Sequence, residues 1–121
     1  MAIVETGSAK VGYASTATVI NITHGLTINA GDVVVAIISV NNNGNTIIDD
    51  NGADAFVEQI QEDHPTGTAR YAIYSRVAGA SEPARYDFSC NDNANRTIVL
   101  RVFSGVHADV WDVAPAVAGR D

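Results

Sequence analysis

The chain has 121 residues, of which 46% are hydrophobic and 17% charged, so it is long enough for one domain with a hydrophobic core and too apolar for disorder. Fourteen acidic residues stand against seven basic ones, and the net charge of −7 is a poor match for nucleic acid or an anionic membrane surface. The one cysteine, Cys90, excludes an intrachain disulfide and a cysteine-based zinc site, and we expect it to be a small buried residue.

The first part of the chain predicts strands separated by turns. Residues 1–14 predict an N-terminal arm or a short edge strand, and they lack the basic and apolar regions of a signal peptide, so we expect none. Thr16–Thr23 is rich in Thr, Val and Ile, which favours a strand. The run Val33–Val40 is β-branched and has no polar alternation, which predicts a central strand with both faces covered. Gly31 and Asp32 predict the turn that precedes it.

The second part continues with short alternating segments. Thr68–Ala78 is the clearest case, and two further strands are expected over 85–90 and 97–104, separated by a polar loop at 91–95. The side chains expected to point inward from the first of these strands are Tyr86, Phe88 and Cys90. In the second strand, Ile98, Leu100 and Val102 are expected on one side and Val99, Arg101 and Phe103 on the other. A short strand is expected around Val110–Val113. No segment has a helical period, so the sequence predicts an all-β domain, a single antiparallel jelly-roll-like β-sandwich of about 7–8 strands, over residues 15–113, followed by a C-terminal tail at 114–121.

Four short patterns stand out along the chain. They are Ala30-Gly31-Asp32 with Val34-Val35-Ala36; Tyr71 and Tyr74 with Arg76-Val77-Ala78; Ser81-Glu82-Pro83 with Tyr86 and Phe88; and Phe103-Ser104-Gly105-Val106 with Asp112. Together they resemble a β-sandwich, jelly-roll-like module of bacteriophage virion proteins and bacterial surface proteins. The chain departs from that module at Ala55-Phe56, where similar modules tend to carry a Gly-Trp pair.

The resemblance implies a structural role without catalysis or cofactor. It favours a bacteriophage virion protein, in particular a capsid decoration or cement protein that binds the head surface at capsomer junctions and stabilises it. The implied partners are the major capsid protein or another virion protein, with self-association, a trimer being favoured, and with neither nucleic acid nor membrane. The implied location is the virion, assembled in the host cytoplasm. The alternative is a glycan-binding module of a tail fibre or adhesin.

Two groups of residues are the candidate contacts for such partners. The interface candidates are Ile3, Val4, Tyr13, Val110 and Trp111. The candidate binding loops carry exposed asparagines on a rigid scaffold, namely Asn42, Asn43, Asn45, Asn93 and Asn95.

Other side-chain patterns give weaker alternatives. The cluster Asp49, Asp50, Asn51 and Asp54 has oxygen ligands that suit calcium but lacks the order of an EF-hand loop, so a solvated turn is expected instead. The histidines are isolated, and no nucleophile or phosphate-loop signature accompanies them; they are His24, His64 and His107. Aromatic residues able to stack on sugar rings, if they are not core or interface residues, are Tyr13, Tyr74 and Trp111.

Overall fold

The computed structural model describes residues 3–106, apart from the side chains of residues 14 and 16. Within this range it contains seven strands and one short 3-10 turn, and no helix of the described part is long and apolar enough to cross a membrane. The prediction of an all-β protein is confirmed. The strands are β1 (Val4–Glu5), β2 (Lys10–Thr23), β3 (Val33–Val40), β4 (Ile47–Asp49), β5 (Val57–Asp63), β6 (Arg70–Val77) and β7 (Arg85–Ser104); the 3-10 turn is Gly52–Asp54.

All seven strands belong to one antiparallel sheet that is organised around β7. The order of hydrogen-bonded strands is β1-β7-β3-β6-β5, and β2 and β4 also pair with β7. β3 lies between β7 and β6, so the strand predicted at Val33–Val40 does occupy the middle of the sheet. The jelly-roll-like sandwich stays a prediction, because hydrogen bonds connect all the described strands into one sheet.

β7 is long enough to pair with two groups of strands. Residues 85–94 pair with residues 17–23 of β2 and with β4, whereas residues 96–104 pair with β1, β3 and residues 10–14 of β2. Side chains from both parts of β7 contribute to one buried core cluster, which also includes residues of β2, β3, β4 and β6. The predicted inward positions are confirmed for Tyr86, Phe88 and Cys90, each at most 3% exposed. Of the two sides expected for residues 97–104, the structure buries the one with Ile98, Leu100 and Val102, each at most 1% exposed.

The polar segment 91–95 was expected to be a loop, and this prediction is wrong, because β7 continues through it. Its backbone and side chains bond to residues distant in sequence. The Asn91 N–H donates to the Thr46 carbonyl at 3.2 Å, and the Asn41 N–H donates to the Asn95 carbonyl at 3.0 Å. These long-range bonds replace the local turn that asparagines favour.

The prediction that both faces of β3 are covered is also wrong for the described part of the chain. One face is fully buried, with Val34, Ala36, Ile38 and Val40 at most 1% exposed. On the other face Val33 is 1% exposed but Ile37 is 38% exposed, so this face is covered only in part. The turn before β3 is as predicted: Gly31 has a φ of +88°, and the Asp32 carboxylate accepts the Asn29 N–H at 2.9 Å.

The N-terminal residues are part of the sheet. β1 is a two-residue edge strand that pairs with the end of β7, in agreement with the edge-strand interpretation. β2 begins at Lys10, so the boundary expected at residue 14 lies inside a strand. The strand and tail expected at 110–113 and 114–121 lie outside the described residues.

Candidate interaction face

The face of the sheet that points away from the core is largely aliphatic. Directly opposed residues of an antiparallel pair project to the same side, so the register identifies this face without ambiguity. One row crosses five strands with strand neighbours about 4.8 Å apart. In the order β2, β7, β3, β6, β5 it consists of Val11, Val99, Ile37, Ile73 and Ile60.

Two further rows extend this face, which we call the outer face. The next row contains Arg101, Val35, Ser75 and Val57, and the one after it Glu5, Phe103, Val33 and Val77. Its charged side chains in these rows, Arg101 and Glu5, bind each other at 2.8 Å. A shallow hollow of about 360 Å³ lies on it, lined by Ile3, Val33, Val35, Ile37, Arg101, Phe103 and Val106.

The outer face holds most of the exposed large hydrophobic side chains of the described chain. Val11 is 69% exposed, Val57 63% and Val77 49%, and all three belong to the rows above. Exposure is uneven on this face, because Val33 and Ser75 in the same rows are only 1% and 3% exposed. Exposed aliphatic side chains grouped in this way are typical of surfaces that contact another protein segment.

The predicted interface residues divide between the two sides of the sheet. Ile3 and Tyr13 are 62% and 67% exposed and lie on the outer face, Ile3 in the hollow and Tyr13 opposite Thr97. Val4 is 56% exposed but projects to the other side, since it alternates with Ile3 and Glu5. Val110 and Trp111 lie outside the described residues.

The two segments predicted as binding loops, 41–45 and 91–95, lie side by side, and one of their asparagines is buried between them. Asn45 was expected at an exposed tip, and this is wrong, because it is 1% exposed. Its amide donates to the Asp92 carbonyl at 2.9 Å and accepts the Asp92 N–H at 3.0 Å. Asn45 therefore joins the segment after β3 to β7. Of the remaining candidates, the exposed ones are Asn43, Asn93 and Asn95, and Asn42 is half-buried.

The acidic cluster 49–54 is used for internal bonding. The Asp49 carboxylate accepts the Phe56 N–H at 2.9 Å, and Asp54 pairs with Arg76 at 3.0 Å. Across residues 3–106 no group of three or more His, Cys, Asp or Glu side chains is arranged to hold a metal ion.

The titratable and aromatic residues singled out in the sequence are mostly structural. His24 is buried, its Nε2–H donates to the Pro83 carbonyl at 2.7 Å, and its ring stacks on Tyr86.

Tyr74 is 3% exposed, so it has no free ring face for a sugar. Its pKa is raised mainly by burial and secondly by the nearby Glu58 carboxylate. Burial likewise raises the pKa of the Cys90 thiol. His64 is exposed on a turn, and His107 lies outside the described residues.

A buried charge network connects two of the sequence patterns. The Arg76 guanidinium donates through Nε and Nη2 to both oxygens of Glu82, at 2.8 Å each. Tyr86 adds a hydroxyl bond at 2.7 Å and the Gly79 N–H another at 2.8 Å. Hydrogen bonding from Arg76 above all lowers the pKa of Glu82 to about 2. The sequence analysis did not predict the Arg76–Glu82 pair, although the two residues belong to neighbouring patterns along the chain.

Comparisons with family models, with curated proteins and with solved structures give no match to this chain. The interpretation of the outer face therefore depends on its geometry and composition.

Proposed function

We propose that the chain is a structural protein of a bacteriophage virion, a capsid decoration or cement protein that binds the head surface at capsomer junctions and stabilises it. The observation that carries the proposal is the group of exposed aliphatic side chains on the outer face of the sheet. The module resemblance seen in the sequence gives the virion context. In this role the protein acts by adding buried area between neighbouring subunits, and its site of action is the virion.

The size of the outer face argues for several contacts acting together. Its most exposed aliphatic side chains are Ile3, Val11, Ile37, Val57 and Val77, which are 38–69% exposed. Burying the exposed part of each contributes about 1 kcal/mol, or about 5 kcal/mol in total. Association alone costs about 4–15 kcal/mol, so one such contact is weak. A symmetric oligomer, for which we favour a trimer, multiplies the contacts and converts weak binding into avidity.

The test uses a matched pair of substitutions in the full chain. Ile37→Asp places a carboxylate in the centre of the outer face, whereas Ile48→Asp places one on β4, away from it. The two isoleucines are 38% and 40% exposed, so the cost to folding should be similar. We expect I37D to weaken two kinds of binding by at least about tenfold, since a desolvated charge costs more than about 1.4 kcal/mol. The first is self-association, measured by light scattering. The second is retention of the major capsid protein by the immobilised chain. I48D should leave both unchanged.

A wild-type chain that is monomeric at all concentrations and retains no virion protein would contradict the proposal. If I37D and I48D associate and retain the capsid protein equally well, the outer face is not the contact surface.

A glycan-binding module remains the second candidate because of one residue. Tyr13 is 67% exposed on β2 and offers a free ring face to a sugar. This function predicts binding on a glycan array that Tyr13→Ala abolishes. Binding that survives Y13A, or the absence of any binding, would exclude this role for Tyr13.

A further inference from the structure

One buried cation of the described chain has no counter-charge. Arg96 lies on β7 opposite Val40 of β3 and is only 8% exposed. Its Nε and Nη1 atoms are fully buried and reach no hydrogen-bond acceptor. The other arginines within residues 3–106 each form an ion pair with a carboxylate: Arg70, Arg76, Arg85 and Arg101.

Arg96 lines a cavity of about 190 Å³ between two parts of β2. Gly12 lies on one side, and a side chain there would come within 3.0 Å of Ile98 and 3.7 Å of the Asn21 carbonyl. Val19, Ile20 and Asn21 complete the wall together with Ile98. Since a water molecule occupies about 30 Å³ of liquid, the cavity has room for a carboxyl group with a few carbon atoms.

A guanidinium stays charged at any pH that a folded protein tolerates, so burial without an acceptor is unfavourable and is not relieved by loss of a proton. The large majority of buried side-chain donors in native proteins have a partner, and a charged donor without one is the most costly exception. We therefore expect a partner of Arg96 to come from outside the described residues and to reach it through the cavity.

We propose that the cavity beside Arg96 is a binding site for a single carboxylate. One positive charge matches one negative charge, and the aliphatic residues in the mixed polar and apolar wall, Val19, Ile20 and Ile98, suit a short alkyl chain. A phosphate dianion would leave its second charge unmatched. The carboxylate is either a small free acid or an acidic side chain of a second copy of this strongly acidic chain. The site does not depend on the proposed virion function.

The test observes the arginine Nε–H of Arg96 by ¹H–¹⁵N NMR of the full chain, with the resonance assigned by its loss in Arg96→Lys. Sodium acetate is added against sodium chloride of equal ionic strength, with sodium phosphate as a third series. A saturable shift with acetate, absent with chloride, supports a free carboxylate as ligand. A resonance already shifted in chloride that returns on dilution, together with a fall in mass by light scattering, supports the second copy.

Three results would overturn the proposal. The first is a resonance that does not respond to acetate, phosphate or dilution, and the second is one that saturates with phosphate but not with acetate. The third is a resonance that is shifted under all conditions, which would mean that the chain itself supplies the partner of Arg96.

Thermal unfolding gives an independent readout with matched variants. Acetate at ten times its Kd should raise the wild-type midpoint by about 5 °C. Arg96→Met should abolish this rise, whereas Arg85→Met should retain it, since Arg85 is exposed in its pair with Asp87. In chloride alone R96M should melt no lower than wild type, because it removes an uncompensated charge. An acetate effect that persists in R96M places the ligand elsewhere; if R96M does not fold, the wild-type titration decides.

Discussion

The Arg76–Glu82 pair gives a quantitative prediction of stability against pH. Glu82 has a side chain only 2% exposed, and its pKa falls from an ordinary 4.5 to about 2. The depressed pKa means that the folded state holds the charged form, so the stabilisation is present above pH 4.5 and is lost as the pH falls toward 2. This lowering of the Glu82 pKa corresponds to about 3 kcal/mol of stability at pH 7, of which about 2 kcal/mol is lost by pH 3.

Glu82→Gln replaces the carboxylate by a neutral group of the same shape, which resembles the protonated side chain. We expect E82Q to lower the free energy of unfolding by about 3 kcal/mol at pH 7 and by only about 1 kcal/mol at pH 3. Urea denaturation followed by circular dichroism at both pH values measures the difference.

The control is Glu5→Gln, which removes the partially exposed pair with Arg101 and should cost less than about 1 kcal/mol. A cost of E82Q below about 1 kcal/mol at pH 7, or one that is the same at both pH values, would refute the assigned electrostatics of Glu82.

Two further predictions concern buried polar groups. Asn45→Ala removes both hydrogen bonds to the Asp92 backbone and should lower the free energy of unfolding, measured by urea denaturation, by about 2–3 kcal/mol. Asn43→Ala at the exposed tip should lower it by less than about 0.5 kcal/mol, and equal losses would contradict the buried placement of Asn45. Tyr74→Phe removes a buried hydroxyl that donates to a β4 backbone carbonyl at 2.9 Å, and should lower the thermal midpoint by about 3–6 °C, since it costs about 1–2 kcal/mol, while Tyr13→Phe should leave it unchanged.

Much of the strand pattern could be predicted because side-chain alternation is a local property. The inward positions of Tyr86 and Phe88 follow from a period of two, and Gly31 follows from the need for a positive φ in the turn before β3. The outer face was not predictable in the same way. An apolar run such as Val33–Val40 predicts a strand that is buried on both sides. The sequence does not determine whether the layer that covers its second side belongs to the same chain.

Sequence alone thus determined that this protein is built of antiparallel strands and which residues of each strand share a side. Tertiary structure alone decided which polar groups meet, because the partners are far apart along the chain: Asn45 bonds to Asp92, 47 residues away. It also decided that Arg96 has no acidic partner within residues 3–106 and that Ile37 faces outward. The physical reason is that alternation depends on backbone geometry within one strand, whereas hydrogen bonding and exposure depend on which strands lie beside and above it.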